Sequence, residues 1–147
     1  YFGPKIGNYR LAPVDPFGHK TPTWDMLRSV NLQLHQLGPV YIGLKSRHVF
    51  HHPNIPTGCQ GIETSGLVRR LEGEDLMVGE FENAQGQAYV MVVNKSLQRS
   101  TEFNLEFNQA GPVHLINAYH GQAEPWSGEH VWLAPGQGML LGTGPAS

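Results

Sequence analysis

The clearest pattern along the chain is helical. Between Thr21 and Pro39 the apolar residues Met26, Leu27, Val30, Leu34 and Leu37 recur at 3.6-residue spacing and share one face. Thr21 suits an N-cap, and Pro22 stands at the first helical position, where its missing N–H forfeits nothing. Asp25 falls in the first turn, where negative charge favours the helix dipole. Gly38 and Pro39 predict the stop. The residues ahead of it, Tyr1 to Lys20, read as loop, because Gly3-Pro4, Gly7-Asn8, Pro13, Asp15-Pro16 and Gly18 interrupt any regular pattern.

After the helix the period changes. Val40 to Leu44 is a short apolar run compatible with either more helix or a strand, and 45–66 reads as an irregular connector containing Pro53, Pro56, Gly58 and Gly61. From Leu67 the pattern is that of strands separated by close turns. Leu67–Leu71, Leu76–Glu82, Gln87–Asn94, Ser100–Phe107, Val113–Asn117, Val131–Leu133 and Met139–Leu141 are predicted strands. Phe103, Leu105 and Phe107 alternate with Glu102, Asn104 and Glu106, as a half-buried strand requires. Tyr89 to Val93 is apolar throughout and suits a central strand covered on both faces. The fold class is therefore mainly β: an antiparallel β-sandwich of about seven or eight strands, preceded by one amphipathic helix. The division is 1–44 for the loop and helix, 45–66 for the connector and 67–147 for the sandwich. A lone amphipathic helix needs an apolar partner, which the loop ahead of it is too irregular to supply. The expectation is that the helix closes a preceding domain of a larger protein, and that Met26, Leu27, Val30, Leu34 and Leu37 meet that domain, the sandwich or a second copy of the chain.

Composition narrows the function. The chain has 147 residues, 15% of them charged, and a net charge of -2. No basic stripe exists, so nucleic acid is not an expected partner. No run reaches the ~20 apolar residues of a membrane-spanning helix. Cys59 is the only cysteine, which leaves no internal disulfide, no cysteine zinc site and no redox pair. Its neighbours Gly58 and Gln60 carry nothing that would activate the thiol. His48, His51 and His52 form the densest cluster of ligating side chains. Their spacing is not that of a metal-binding helix, and no acid follows until Glu63, so neither a metal nor a cofactor is expected. No secretory leader pattern is visible, and the cellular address is left open.

Several stretches resemble a known family. Tyr1-Phe2, Tyr9-Arg10-Leu11, Asp15 to Trp24, Val30-Asn31 and Leu37-Gly38-Pro39 resemble the end of the (β/α)8 barrel of β-galactosidase-like glycoside hydrolases. There a loop bearing D-x-x-G-x-x-T leads into a last helix with an R-x-x-N core and an L-G-P stop. Leu44-Lys45-Ser46, Val49 to His52 and Pro56-Thr57-Gly58 resemble the segment leaving that barrel. Tyr89 to Ser96 and Leu133 to Leu141 resemble the family's C-terminal β-domain, with its N-x-S and P-G-x-G-x-L turns. The resemblance implies a glycosidase parent whose two catalytic carboxylates lie on earlier barrel strands. It assigns no catalytic residue to this chain, whose implied role is that of a structural accessory region packed on the catalytic barrel.

Two constellations compete with that reading. Glu80 and Glu82 on one strand face would stand about 7 Å apart, a separation that suits a hydrolytic pair, but a solvated outer face accounts for them more simply. Tyr119 and Trp126 fall in a polar loop with His120, Gly121, Gln122 and Glu124, and an exposed indole is what stacking on a pyranose requires. They are the candidate residues of an alternative function, a stand-alone carbohydrate-binding module. The plainer alternative is a tryptophan plugging the sandwich end or facing the barrel. Asn94-Lys95-Ser96 also matches the glycosylation pattern, a short motif common by chance.

Overall fold

Two facing sheets dominate the computed structural model, which describes residues 12–146. The chain is mainly β, as its alternation predicts. Among the described residues helix α1 (Pro22–Tyr41) comes first. Ten strands follow: β1 (Lys45–His52), β2 (Gln60–Gly61), β3 (Val68–Glu72), β4 (Leu76–Glu82), β5 (Ala88–Asn94), β6 (Thr101–Phe107), β7 (Val113–Ile116), β8 (Ala123–Pro125), β9 (Val131–Leu133) and β10 (Gly138–Thr143). Seven form one sheet in the order β2-β1-β4-β5-β10-β7-β8, and three form the other in the order β3-β6-β9. All pairings are antiparallel except β1 with β2.

The core lies between the sheets. Phe50, Val78, Val90 and Val92 of the large sheet meet Leu71, Phe103, Leu105 and Leu133 of the small one. The large sheet is apolar on its other face as well. Leu140 stands opposite both Met91 and Ile116 across the ladder, so these three share the outer face. With Tyr89 they form a socket for Leu37, flanked by Val40 and Leu44. β5 is thus covered on both faces, which explains its unbroken apolar run.

Two expectations are corrected. The helix does not stop at Gly38-Pro39 but runs through them to Tyr41, and the Ile42 N–H closes the last turn on the Gly38 carbonyl. Pro39 forfeits only the bond its own N–H would have given the His35 carbonyl, while burial of Leu37 and Val40 holds the turn against the sheet. The 45–66 segment is not an irregular connector: β1 is an eight-residue strand between β2 and β4. Only Phe50 of β1 is fully buried, so its sequence carries no alternation to read.

The apolar stripe of α1 reaches the sandwich only at its C-terminal end. Leu37 is buried and Leu27 half-buried, while Met26, Val30 and Leu34 stay exposed on the part of the helix that overhangs the sheet.

Candidate functional site

The segment ahead of α1 is built by its own polar groups. Asp15 Oδ1 accepts from the backbone N–H of Phe17 (2.9 Å) and of His19 (2.8 Å), and Gly18 closes the turn at φ 85°. The His19 bond is the main reason the Asp15 carboxyl titrates below its usual range. Val14 bridges to Lys20, the Thr21 N–H donates to the Pro13 carbonyl (3.0 Å), and the Thr21 hydroxyl donates to the Ala12 carbonyl instead of capping the helix. Asp15, Gly18 and Thr21, the three fixed positions of the D-x-x-G-x-x-T pattern, therefore each hold this turn. The Lys20 ammonium lies 4.8 Å from the centre of the Trp24 ring. Tyr1-Phe2 and Tyr9-Arg10-Leu11, which carry the rest of that resemblance, lie outside the described residues.

The turn sets Pro13 and Val14 against the first half of α1, leaving a groove of about 660 Å³ lined also by Trp24, Leu27, Asn31 and Leu32. Arg28 and His35 complete its rim. Among the described residues the Arg28 and Asn31 side chains make no hydrogen bond or ion pair. The groove lies on the opposite side of the helix from Leu37, so α1 presents apolar side chains on two faces.

The polar clusters are structural in geometry. Glu80 is buried at 6% exposure rather than solvated, correcting its expected outer-face position. It accepts from the Ser65 hydroxyl and lies 3.5 Å from His48 Nδ1. Ser65 Oγ in turn accepts from the N–H groups of Leu67 (3.1 Å) and Val68 (2.8 Å), which fixes the start of β3. A hydroxyl so occupied, facing a carboxylate and not an imidazole, is not arranged as a nucleophile with its base. Glu82 is taken by Arg47 at 2.7 Å.

The histidine cluster is split by the strand. His48 pairs across the ladder with Glu80 and His51 with Met77, which puts the two imidazoles on opposite faces. His51 Nδ1 accepts from Lys95 Nζ (3.3 Å), which also donates to the Asn54 carbonyl (3.1 Å). Burial, then the Lys95 charge, lowers the His51 pKa. The folded state thus takes up this proton less readily than the unfolded chain. Stability held above about pH 6.5 is expected to decline as pH falls through and below that value. His51→Gln, which keeps an acceptor for Lys95 without titrating, should flatten that decline in urea melts between pH 5 and 7; an unchanged slope would locate its cause elsewhere.

Tyr119 and Trp126 do not form one platform. Tyr119 lies in the turn of the β7–β8 hairpin and Trp126 at its base, where Ala118 and Ala123 pack toward the helix socket while Trp126 packs into the inter-sheet core. Tyr119 is 81% exposed on the turn after β7. Trp126 stacks on Phe103 (centroids 6.3 Å apart, planes 18° apart), and its buried Nε1 has no partner among the described residues. Its loop runs from the edge of the large sheet to β9 at the edge of the small one, so the indole plugs the open side of the sandwich.

Comparison of the chain with protein-family models, with curated proteins and with solved structures gives no match.

Proposed function

We propose that this chain is the non-catalytic C-terminal accessory region of a glycoside-hydrolase-like protein, with α1 and the turn before it packing on the catalytic barrel. The observation that carries this reading is the two-sided apolar character of a helix docked only at its end. Met26, Val30 and Leu34 continue the Leu37 stripe beyond the sheet, and Trp24, Leu27 and Leu32 face the groove with Pro13 and Val14. A helix apolar on more than one side is a helix covered on more than one side. The resemblance of Asp15–Thr21, Arg28-x-x-Asn31 and Leu37-Gly38-Pro39 to the end of a glycosidase barrel names the covering body. Arg28 and Asn31, unpaired among the described residues, supply the polar contacts within that interface.

Hydrogen exchange tests the reading. Amides of 23–35 should exchange fast in the 147-residue chain and slow by about tenfold or more when the barrel precedes them on one polypeptide. Equal protection in both would remove the interface. Turnover of nitrophenyl glycosides by the 147-residue chain, persisting through repeated purification, would overturn its non-catalytic role.

A further inference from the structure

The outer face of the small sheet is a second surface, on the far side of the sandwich from α1. Three side chains of β6, Glu102, Asn104 and Glu106, point outward along about 13 Å of strand. The ladder sets Trp132 directly opposite Glu102, Glu72 opposite Asn104 and Arg70 opposite Glu106. Trp132 is 58% exposed, in contrast to the plug at Trp126. β9 pairs with β6 only over Thr101–Phe103. Beyond that point the loop before β9 swings away and opens a cleft of about 750 Å³ along the rest of β6, walled by Trp126, Gly128, Glu129 and His130. Its shape is held by two left-handed residues, Gly128 (φ 76°) and His130 (φ 49°); a Cβ on Gly128 would sit 3.3 Å from the Trp126 ring.

We infer that this face, with Trp132 as its stacking surface and the β6 cleft beside it, binds an uncharged oligosaccharide. The volume lies within the range of small-ligand sites. The charges select the class. Arg69 pairs with Glu106, Arg70 with Glu72, and His130 with Glu102 at 3.0 Å. Carboxylates already held in this way are a poor cage for a cation, while the four acids lining the cleft, Glu72, Glu102, Glu106 and Glu129, outnumber the two arginines beside it, which disfavours a polyanion. Fixed carboxylate oxygens, guanidinium N–H groups and the Asn104 amide offer vicinal hydroxyls both acceptors and donors. The adjacent indole, apolar on its face, takes the C–H side of a pyranose ring. The inference rests on these placements and is independent of the role proposed for α1.

Calorimetric titration of the chain with soluble neutral hexasaccharides (gluco-, xylo-, manno- and galacto-configured), and with hexagalacturonate as the anionic control, tests it. At least one neutral hexasaccharide should bind with a sub-millimolar Kd, shifting the amide resonances of Glu102, Asn104 and Trp132. Trp132→Ala should weaken that binding by about tenfold or more, Asn104→Ala should weaken it less, and Tyr119→Ala should leave it unchanged. Because Trp132 is mostly exposed its variant should keep the parent melting curve, and the Asn104 variant reports on the same face independently. Absence of binding by every neutral probe at millimolar concentration, preference for hexagalacturonate, or affinity unaltered in both Trp132→Ala and Asn104→Ala would each overturn the proposal.

Discussion

Replacing Trp126 with alanine is expected to cost the fold about 3 kcal/mol, the lower end of the range for removing a large aromatic from a core. The indole is half-buried, which places it at that end, yet it stacks on Phe103 and closes the open side of the sandwich. Its Nε1 has no partner among the described residues, so no hydrogen bond is lost with the ring. Trp126→Phe should therefore be much milder: it keeps the stack and removes a buried donor that burial alone penalises by about 1–3 kcal/mol. Urea unfolding of the three proteins at constant m-value would measure both differences. If alanine cost less than about 1 kcal/mol, or if phenylalanine cost as much as alanine, the plug would not be what the geometry makes it. A saccharide-binding defect in Trp126→Ala would accordingly reflect a damaged sandwich, whereas one in Trp132→Ala would report on the surface itself.

Leu37→Glu should undock the helix. The side chain sits in a socket of Tyr89, Ile116 and Leu140, where an unpaired carboxylate costs several kcal/mol, more than one turn of docking returns. The 20-residue helix would then stand alone with a proline near its end, and an isolated helix of this length is marginal in water. Most of the ellipticity at 222 nm should disappear while the sandwich keeps a cooperative transition at a lower midpoint, and binding of an apolar dye should rise as the socket opens. Leu37→Met, similar in volume, should change little. Full helicity in the glutamate variant would mean that α1 is held by contacts other than Leu37.

What could be read from the chain was whatever its own pattern specified. Pro22 and the apolar stripe mark α1, and the boundaries of β4 and β9 coincide with the apolar-rich runs Leu76–Glu82 and Val131–Leu133, which bury Leu76, Val78, Glu80 and Leu133. β1 escaped because lateral pairing with β4, not burial, makes it a strand, and hydrogen bonds to a neighbour leave no hydrophobic signature. Pro39 was misleading for a related reason: local propensity argues for a stop, and the tertiary contact of Leu37 and Val40 outweighs it. Glu80 turned inward because Ser65, fifteen residues away, supplies its hydrogen bond. Tyr119 and Trp126 looked alike in the sequence, and the β7–β8 hairpin separates them, leaving Tyr119 exposed in its turn and Trp126 packed on the core at its base. The signal for Trp132 was its place opposite Glu102, which register discloses and composition does not.

The interior position of β1 decides how the chain can be divided. A polypeptide beginning at Leu67 would drop both β1 and β2 and leave β4 as a raw edge, with its donors and acceptors open to the next copy. One beginning at Lys45 would keep the ladder whole but bare the apolar socket that Leu37 fills. The first cut leaves an open strand edge and the second an apolar patch, so a transplant of this sheet that is to stay free of self-association carries β1, β2 and α1 with it.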